Sequence, residues 1–255
     1  MVTNFRKAEI LEQARRDGKV LVDDLARRFD VTVQTIRRDL SELSDVGKLE
    51  RVHGGAIVPS GVVNIVYEER RQLNDAGKRA IAQACAAEIP NGSSIFMNIG
   101  TTTEAVATAL RDHEDLLVVT NNLNIANILT SHRQCEIVVT GGTLRRTDGG
   151  LMGGFAVETV RQFKFDYALI GCSALDQDGD LLDFDEQEIT VSQTAIRRAR
   201  QVFAVADKSK LERKAPITTC GLDELDALFT DADLPDHLVT LAQRAETRVV
   251  TVPGA

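Results

Sequence analysis

The chain is short of cysteine, of positive charge and of long apolar runs, and each shortage narrows its class. It has 255 residues and four cysteines. These are Cys85, Cys135, Cys172 and Cys220, all far apart. That excludes a disulfide scaffold and predicts free, buried thiols in a reducing compartment. The four histidines, His53, His113, His132 and His237, have no metal-ligand spacing, so no metal is expected. No apolar run reaches the roughly 20 residues that a bilayer crossing needs. Met1 to Arg6 carry no signal-peptide core, so the expected location is cytoplasmic, with no membrane partner. No Gly-Lys-Ser/Thr closes a glycine-rich loop, and no GxGxxG follows a strand. Nucleotide binding is therefore disfavoured and no cofactor is expected. Hydrophobic residues at 43% and charged residues at 27% are globular values, and the length suits one large or two ordinary domains.

What is present is most informative from Val20 to Leu40, VLVDDLARRFDVTVQTIRRDL. Val33, Ile36, Leu40 and Leu43 have helical spacing and form one apolar stripe. Gln34, Thr35, Arg37, Arg38 and Ser41 fall off that stripe, towards solvent. A short helix over Val22–Phe29 precedes it, across the break Asp30-Val31-Thr32, and Thr32 is placed to cap the second helix. An N-terminal helix, Asn4 to Arg16, supplies Ile10, Leu11 and Ala14 as a third wall, and Gly18 ends it. Lys48 to Val52 reads as a strand, His53-Gly54-Gly55 as a turn and Ala56 to Val58 as the return strand. Three helices and a β-hairpin make a winged helix-turn-helix. An ordinary amphipathic helix would also expose an Arg pair. The turn, the cap and the hairpin favour a recognition helix in a major groove, where Arg and Gln bond base edges and Thr and Ser bond bases or phosphates.

The net charge of −8 is carried elsewhere. Residues 1–60 hold eleven Lys and Arg against ten Asp and Glu, while 61–255 hold nineteen against twenty-eight. The acidic part is thus a separate body. The N-terminal module is not strongly basic, so one copy should bind duplex DNA weakly and a homo-dimer or tetramer is implied.

The expected divisions are residues 1–58 for the winged helix-turn-helix, 59–75 for a linker and 76–255 for an α/β domain. In that third part a helix from Asn74 or Asp75 to Glu88 leads into alternating elements. Strands are expected at Ser94–Ile99, Leu116–Thr120, Glu136–Thr140, Asp166–Gly171, Val202–Ala206, Ala227–Thr230 and Arg248–Val252. Helices are expected at Glu104–Leu110, Leu123–Thr130 and Gln187–Ala199. Such alternation means a largely parallel sheet.

Ligands of open α/β sheets bind beyond the carboxyl ends of the strands. Those ends carry Gly100-Thr101-Thr102-Thr103, Asn121-Asn122, Gly141-Gly142 followed by Arg145, and Asp207-Lys208-Ser209-Lys210. Gly and Thr at a helix start offer N–H groups and hydroxyls to an anion. Arg145 and Lys208 add charge-assisted bonds. Each piece alone is an ordinary turn or cap. Together they favour a small phosphorylated ligand.

These residues resemble the DeoR family of transcriptional regulators over nearly the whole chain. The matching segments are Arg6, Ile10, the run Gln34 to Leu40, His53 to Ala56, Ile99 to Ala107, Val119 to Asn127, Gly141 to Gly153, Gly171 to Glu188 and Ala206 to Lys210. The resemblance implies an operator-binding repressor with a Rossmann-like α/β sensor domain similar to ribose-5-phosphate isomerase. It adds Arg6 and His53 to the DNA-facing residues. It also implies a phosphorylated sugar or polyol effector near Gly100 to Thr103. The TNNLN, DGGLMG and LLDFDEQE segments narrow the expected effector to glycerol-3-phosphate or a related sugar phosphate. Asn98 is a departure, since many members carry Asp there. The competing reading is a sugar-phosphate isomerase-like enzyme fused to a DNA-binding module, with its base among Asp176, Asp178, Asp183, Asp185, Glu186 and Glu188. That enzyme family has a catalytic lysine where Leu181 to Ala195 have none. The acidic residues there, Asp183 among them, are instead expected to order a loop over the ligand or bond its hydroxyls. No enzyme activity is expected.

Overall fold

A computed structural model describes residues 2–17, 19–45, 48–52, 54–57 and 67–253. The chain divides into two compact units, Met1–Ile65 and Val66–Ala255.

The first unit contains α1 (Val2–Asp17), β1 (Lys19–Leu21), α2 (Val22–Phe29), α3 (Val33–Asp45), β2 (Glu50–Val52) and β3 (Gly55–Ile57). Ile36, Leu40 and Leu43 of α3 are buried with Ile10, Ala14 and Leu25, so the apolar stripe does form the shared core. Thr32 Oγ1 accepts from the Thr35 N–H at 3.2 Å, which satisfies one free donor at the start of α3. β1 is an addition to the sequence reading. It makes the wing a three-stranded antiparallel sheet, ordered β1-β3-β2. A three-residue strand between two helices has too little period to be read. Gly55 makes this pairing possible, because a Cβ there would meet Val20 O at 2.0 Å. Gly18 and His53 lie outside the described residues.

Asp30 ends α2 in the left-handed region, at φ 51° and ψ 49°. A short polar side chain tolerates that conformation and a β-branched one does not. Asp30→Val is expected to destabilise the first unit by about 1–2 kcal/mol, whereas Asp30→Gly holds or raises its stability. Urea unfolding of the two variants measures the difference. Equal midpoints would refute this account of the turn.

The second unit runs α4 (Tyr67–Gln72), α5 (Asp75–Ala87), β4 (Ser94–Met97), α6 (Thr101–Ala109), β5 (Leu116–Thr120), α7 (Leu123–Leu129) and β6 (Cys135–Val139). It continues with β7 (Thr143–Arg145), β8 (Gly150–Met152), α8 (Gly154–Arg161), β9 (Phe165–Gly171), β10 (Ala174–Leu175), β11 (Asp180–Asp183) and α9 (Glu186–Ile196). The last elements are β12 (Ala199–Val205), β13 (Ile217–Gly221), β14 (Ala227–Thr230), α10 (Asp236–Arg244) and β15 (Arg248–Thr251). Seven strands pair in parallel in the order β15-β14-β12-β9-β4-β5-β6. Alternate strand residues serve opposite faces. Ile95 and Met97 pack with Ile81 of α5, Val106 of α6 and Ile125 of α7. Phe96 packs with Val157 of α8, Val191 of α9 and Leu238 of α10. This is a doubly covered parallel sheet.

The structure departs from the sequence reading in several places. The stretch expected to be a linker holds α4. The hairpin β7–β8, the helix α8 and the antiparallel sheet β10-β11-β13 were not anticipated. α6 begins at Thr101 and so takes in the threonines expected to precede it. α9 stops at Ile196 because Ala199 already pairs with Phe165 as the first residue of β12. The cysteines are free, and Cys85, Cys172 and Cys220 are buried while Cys135 is half-buried. No helix is long and apolar enough to cross a membrane among the described residues.

Chain order leaves β4 in both directions. β5 and β6 follow on one side, and β9, β12, β14 and β15 on the other. Such a reversal opens a crevice at the carboxyl ends of the two central strands, here β4 and β9.

Candidate functional site

Two surfaces carry chemistry, one in each unit. In the first, Gln34, Arg37 and Arg38 are exposed on α3, and Thr35 and Ser41 are half-buried beside them. Arg38 Nε donates to Glu42 Oε1 at 3.0 Å one turn on. Arg37 has no ion pair among the described residues. Ser41 Oγ accepts from Arg51 Nη1 of β2 at 2.8 Å, tying the helix to the wing. Thr32 is exposed at the helix start. Arg6 has a different place from the one expected. Its Nε donates to Asp39 Oδ2 at 2.5 Å, and the two side chains are only 13% and 3% exposed. Arg6 therefore neutralises a buried carboxylate and holds α1 to α3 instead of facing solvent.

In the second unit, Asn98 sits just past β4 and is almost fully buried. Its Oδ1 accepts from the Gly171 N–H at 2.8 Å, and its Nδ2 donates to Gly171 O at 3.0 Å. The amide thus bridges β4 to β9 where the order of the strands reverses. An ionised Asp would face Gly171 O with no proton to give. This accounts physically for an amide at this position.

A crevice opens beside Asn98. Its floor is Ile99 and Gly100 with Thr101 and Thr102 of α6. Its far wall is Gly171, Cys172 and Ser173 past β9, with Asp183 at the end of β11. Arg70 of α4 and Lys210 complete the lining. The first N–H groups of α6 have no helical acceptor and face this space with the positive end of the helix dipole. Thr103 is fully buried, and its hydroxyl donates to Gly100 O at 2.8 Å and Asn98 O at 3.0 Å. It shapes the turn and does not line the crevice.

Lys210 is the strongest electrostatic feature. Burial, with Arg213 and Arg70 nearby, pushes its ammonium down to about 8, although Asp207 favours the charge. Burial pushes Asp207 up, but Lys210 and the bonds from Ser209 outweigh it and hold the carboxyl below its ordinary value. Asp183 Oδ1 accepts from Ser173 Oγ at 2.8 Å and from the Phe184 N–H at 2.9 Å. Burial pushes the Cys172 thiol up to about 12, so it is neutral here.

The crevice therefore gathers Gly100, Thr101, Thr102 and Asp183 of the expected set, and leaves the others out. Lys208 is exposed. The short 3₁₀ turn Lys208–Lys210 sends its third residue inward instead. Arg145 is engaged by three carboxylates. Its Nε and Nη2 fork Asp148 at 2.9 and 2.7 Å, Nη2 also reaches Glu188 at 2.6 Å, and Nη1 reaches Asp185 at 3.2 Å. Asn121 Nδ2 donates to Leu151 O at 3.1 Å. Asn122 Oδ1 caps α7 through the Asn124 N–H at 2.8 Å, and its Nδ2 bonds Glu104 at 3.2 Å. Gly141 and Gly142 are exposed, and Gly142, at φ +126°, is where a Cβ would meet Met152 O at 2.4 Å. These residues build the loops around β5 to β8. Arg70, Ser173, Cys172 and Lys210 were missed by the sequence reading. Lys210 had a signal, two residues beyond the lysine chosen, and Cys172 and Ser173 directly follow an expected strand, whereas Arg70 had none.

Among the described residues no group of three His, Cys, Asp or Glu could hold a metal.

Known proteins resemble the chain in both units. A DeoR-like helix-turn-helix domain matches residues 6–62, and a DeoR C terminal sensor domain matches residues 73–232. A glycerol-3-phosphate regulon repressor of Haemophilus influenzae is 41% identical over 254 residues, covering 100% of this chain and 99% of the relative. The repressor of that name from Escherichia coli is 42% identical over 226 residues, covering 89% and 90%. Among solved structures, ribose 5-phosphate isomerase A of Neisseria gonorrhoeae covers 56% of this chain and 55% of its own, at 12% identity and a TM-score of 0.40.

Proposed function

The chain belongs to the DeoR family of transcriptional regulators, and from that premise we propose that it is a DNA-binding repressor released from its operator by glycerol-3-phosphate. The observation that carries the effector reading is the crevice. It gathers the N-terminus of α6, the buried Lys210 and Asp183 around one space. The phosphate belongs with the Gly100 to Thr102 N–H groups, the threonine hydroxyls and Lys210. The polyol hydroxyls belong with Asp183 and Ser173. The relatives' names point to the same regulon.

Operator recognition rests on Gln34, Thr35, Arg37, Arg38 and Thr32. The near-neutral first unit argues for two or four copies on DNA, since phosphate contacts supply most non-specific affinity. The isomerase alternative is not favoured. The relatives are repressors, Leu181 to Ala195 hold no lysine, and Asp185 and Glu188 are engaged by Arg145.

A thermal-shift screen with a panel of phosphorylated sugars and polyols tests the effector. Glycerol-3-phosphate should raise the midpoint of the second unit by mass action and release a bound operator in a gel shift. Free glycerol should do neither, because the charge-assisted bonds go to the phosphate. A different sugar phosphate binding while glycerol-3-phosphate does not would refute the choice of effector.

A further inference from the structure

α4 is the first element of the second unit in chain order, directly after the segment that leads from the wing. It lies against α6 and is fastened at several points. Tyr67 OH donates to Glu104 Oε2 at 2.8 Å and accepts from Asn124 Nδ2 at 2.9 Å. Arg70 O accepts from the buried Lys78 Nζ. It also accepts from Thr101 Oγ1, at a long 3.5 Å.

The Arg70 guanidinium packs over the Tyr67 ring, 6.0 Å from its centroid, but its N–H groups are held less well than their burial requires. The side chain is 11% exposed, and its ion partner Asp148 is 3.4 Å away. That carboxylate is already forked by Arg145 at 2.9 and 2.7 Å and accepts from the Gly150 N–H at 3.3 Å. Arg70 Nε is buried with no hydrogen-bond partner among the described residues. A buried donor without a partner is costly, and a buried cation more so. This guanidinium lines the crevice together with Lys210, and the two positive charges oppose each other. A dianion between them would relieve both. It would also compete for the single proton of the Thr101 hydroxyl, which now goes to Arg70 O.

We propose that Arg70 is a cationic ligand for the effector's phosphate, and that α4 is the lever by which filling the crevice reaches the DNA-binding unit. The proposal rests on the effector reading above. Phosphate binding gives Arg70 an acceptor and takes Thr101 from its carbonyl. The fastening of α4 on α6 therefore differs between the empty and filled states, which is the differential interaction a switch needs.

The test uses the full chain, glycerol-3-phosphate and a labelled operator. By calorimetry, Arg70→Gln should weaken effector binding at least about tenfold, as expected for a lost charge-assisted bond. Arg70→Lys should fall between that variant and the wild type, because it keeps the charge and loses the fork. Tyr67→Phe removes the hydroxyl that fastens α4 to Glu104 and Asn124 but keeps the ring that Arg70 packs over. It should bind effector within about threefold of the wild type yet lose most of the effector-induced drop in operator affinity. Wild-type effector affinity in Arg70→Gln overturns the ligand role, and a full response in Tyr67→Phe overturns the lever. Melting midpoints without effector establish that each variant is folded. If the wild type ignores glycerol-3-phosphate but binds another phosphorylated compound, the effector is corrected and the variants are compared with that compound. Binding of no phosphorylated compound and no inorganic phosphate overturns both proposals.

Discussion

Arg37→Ala should nearly abolish operator recognition while leaving the effector site intact. Arg37 is exposed on α3 and, among the described residues, has no ion pair to hold it away from a groove. Gln34, Arg37, Arg38 and Ser41 lie at intervals that put them on one helical face. Losing an arginine that forks a guanine costs about 1–3 kcal/mol per half-site. A symmetric dimer loses it twice, so affinity should fall roughly thirtyfold to roughly twenty-thousandfold. Arg38→Ala should cost less, because Glu42 already takes its Nε. Gel shifts with operator and scrambled DNA at one salt concentration separate base reading from phosphate contact. A uniform loss on both DNAs, with a shallower salt slope, makes Arg37 a phosphate contact. Operator binding within twofold of the wild type removes it from the interface.

The second large effect is expected at Lys210. Lys210→Met should lower effector affinity by about one to two powers of ten, since bonds to charged groups contribute about 1.5–3 kcal/mol. The pH dependence gives the sharper signature. In the empty crevice burial, Arg213 and Arg70 lower Lys210 to about 8, against the opposing pull of Asp207. Above that pH the ammonium loses its proton, whereas the phosphate has been a dianion since about pH 6. Wild-type affinity should therefore fall as pH rises through about 8, with up to one proton taken up on binding. The folding linkage has the opposite sign. The unfolded lysine, at 10.5, binds more protons than the folded one between about 8 and 10.5. Over that window this group makes the empty protein more stable as pH rises. Calorimetry from about pH 7 to about pH 9.5 measures both proteins, and Lys210→Met should be flat where the wild type declines. Parallel profiles would show that Lys210 does not meet the phosphate.

The parts of the fold that follow a period were readable, and those that depend on distant partners were not. The stripe Val33, Ile36, Leu40 and Leu43 gave α3, and the apolar runs gave all seven parallel strands within a few residues. α4 escaped because Tyr67 to Gln72 reads YEERRQ and carries no apolar stripe. β1, β7, β8 and β10 are two or three residues long, too short to alternate. The crevice was legible where its groups are backbone and local, at Gly100 to Thr102. It was misread where side-chain direction decides. Whether Lys208 or Lys210 turns inward depends on a single 3₁₀ turn. Arg145 looked free because two of its three partners, Asp185 and Glu188, are forty or more residues away in sequence, although the third, Asp148, is only three residues on.

The two cores have unequal reserves. The first unit is closed by a small cluster around Ile10, Leu25, Ile36 and Leu40, with one buried ion pair between Arg6 and Asp39. The second rests on two broad layers, one on each face of a seven-stranded sheet. Small bodies bury a smaller share of their surface and melt more easily. Heating should therefore give two transitions instead of one, with operator binding lost at the lower and effector binding surviving to the upper. Between them the protein would be a sensor with nothing left to control, and a single melting temperature would describe neither half.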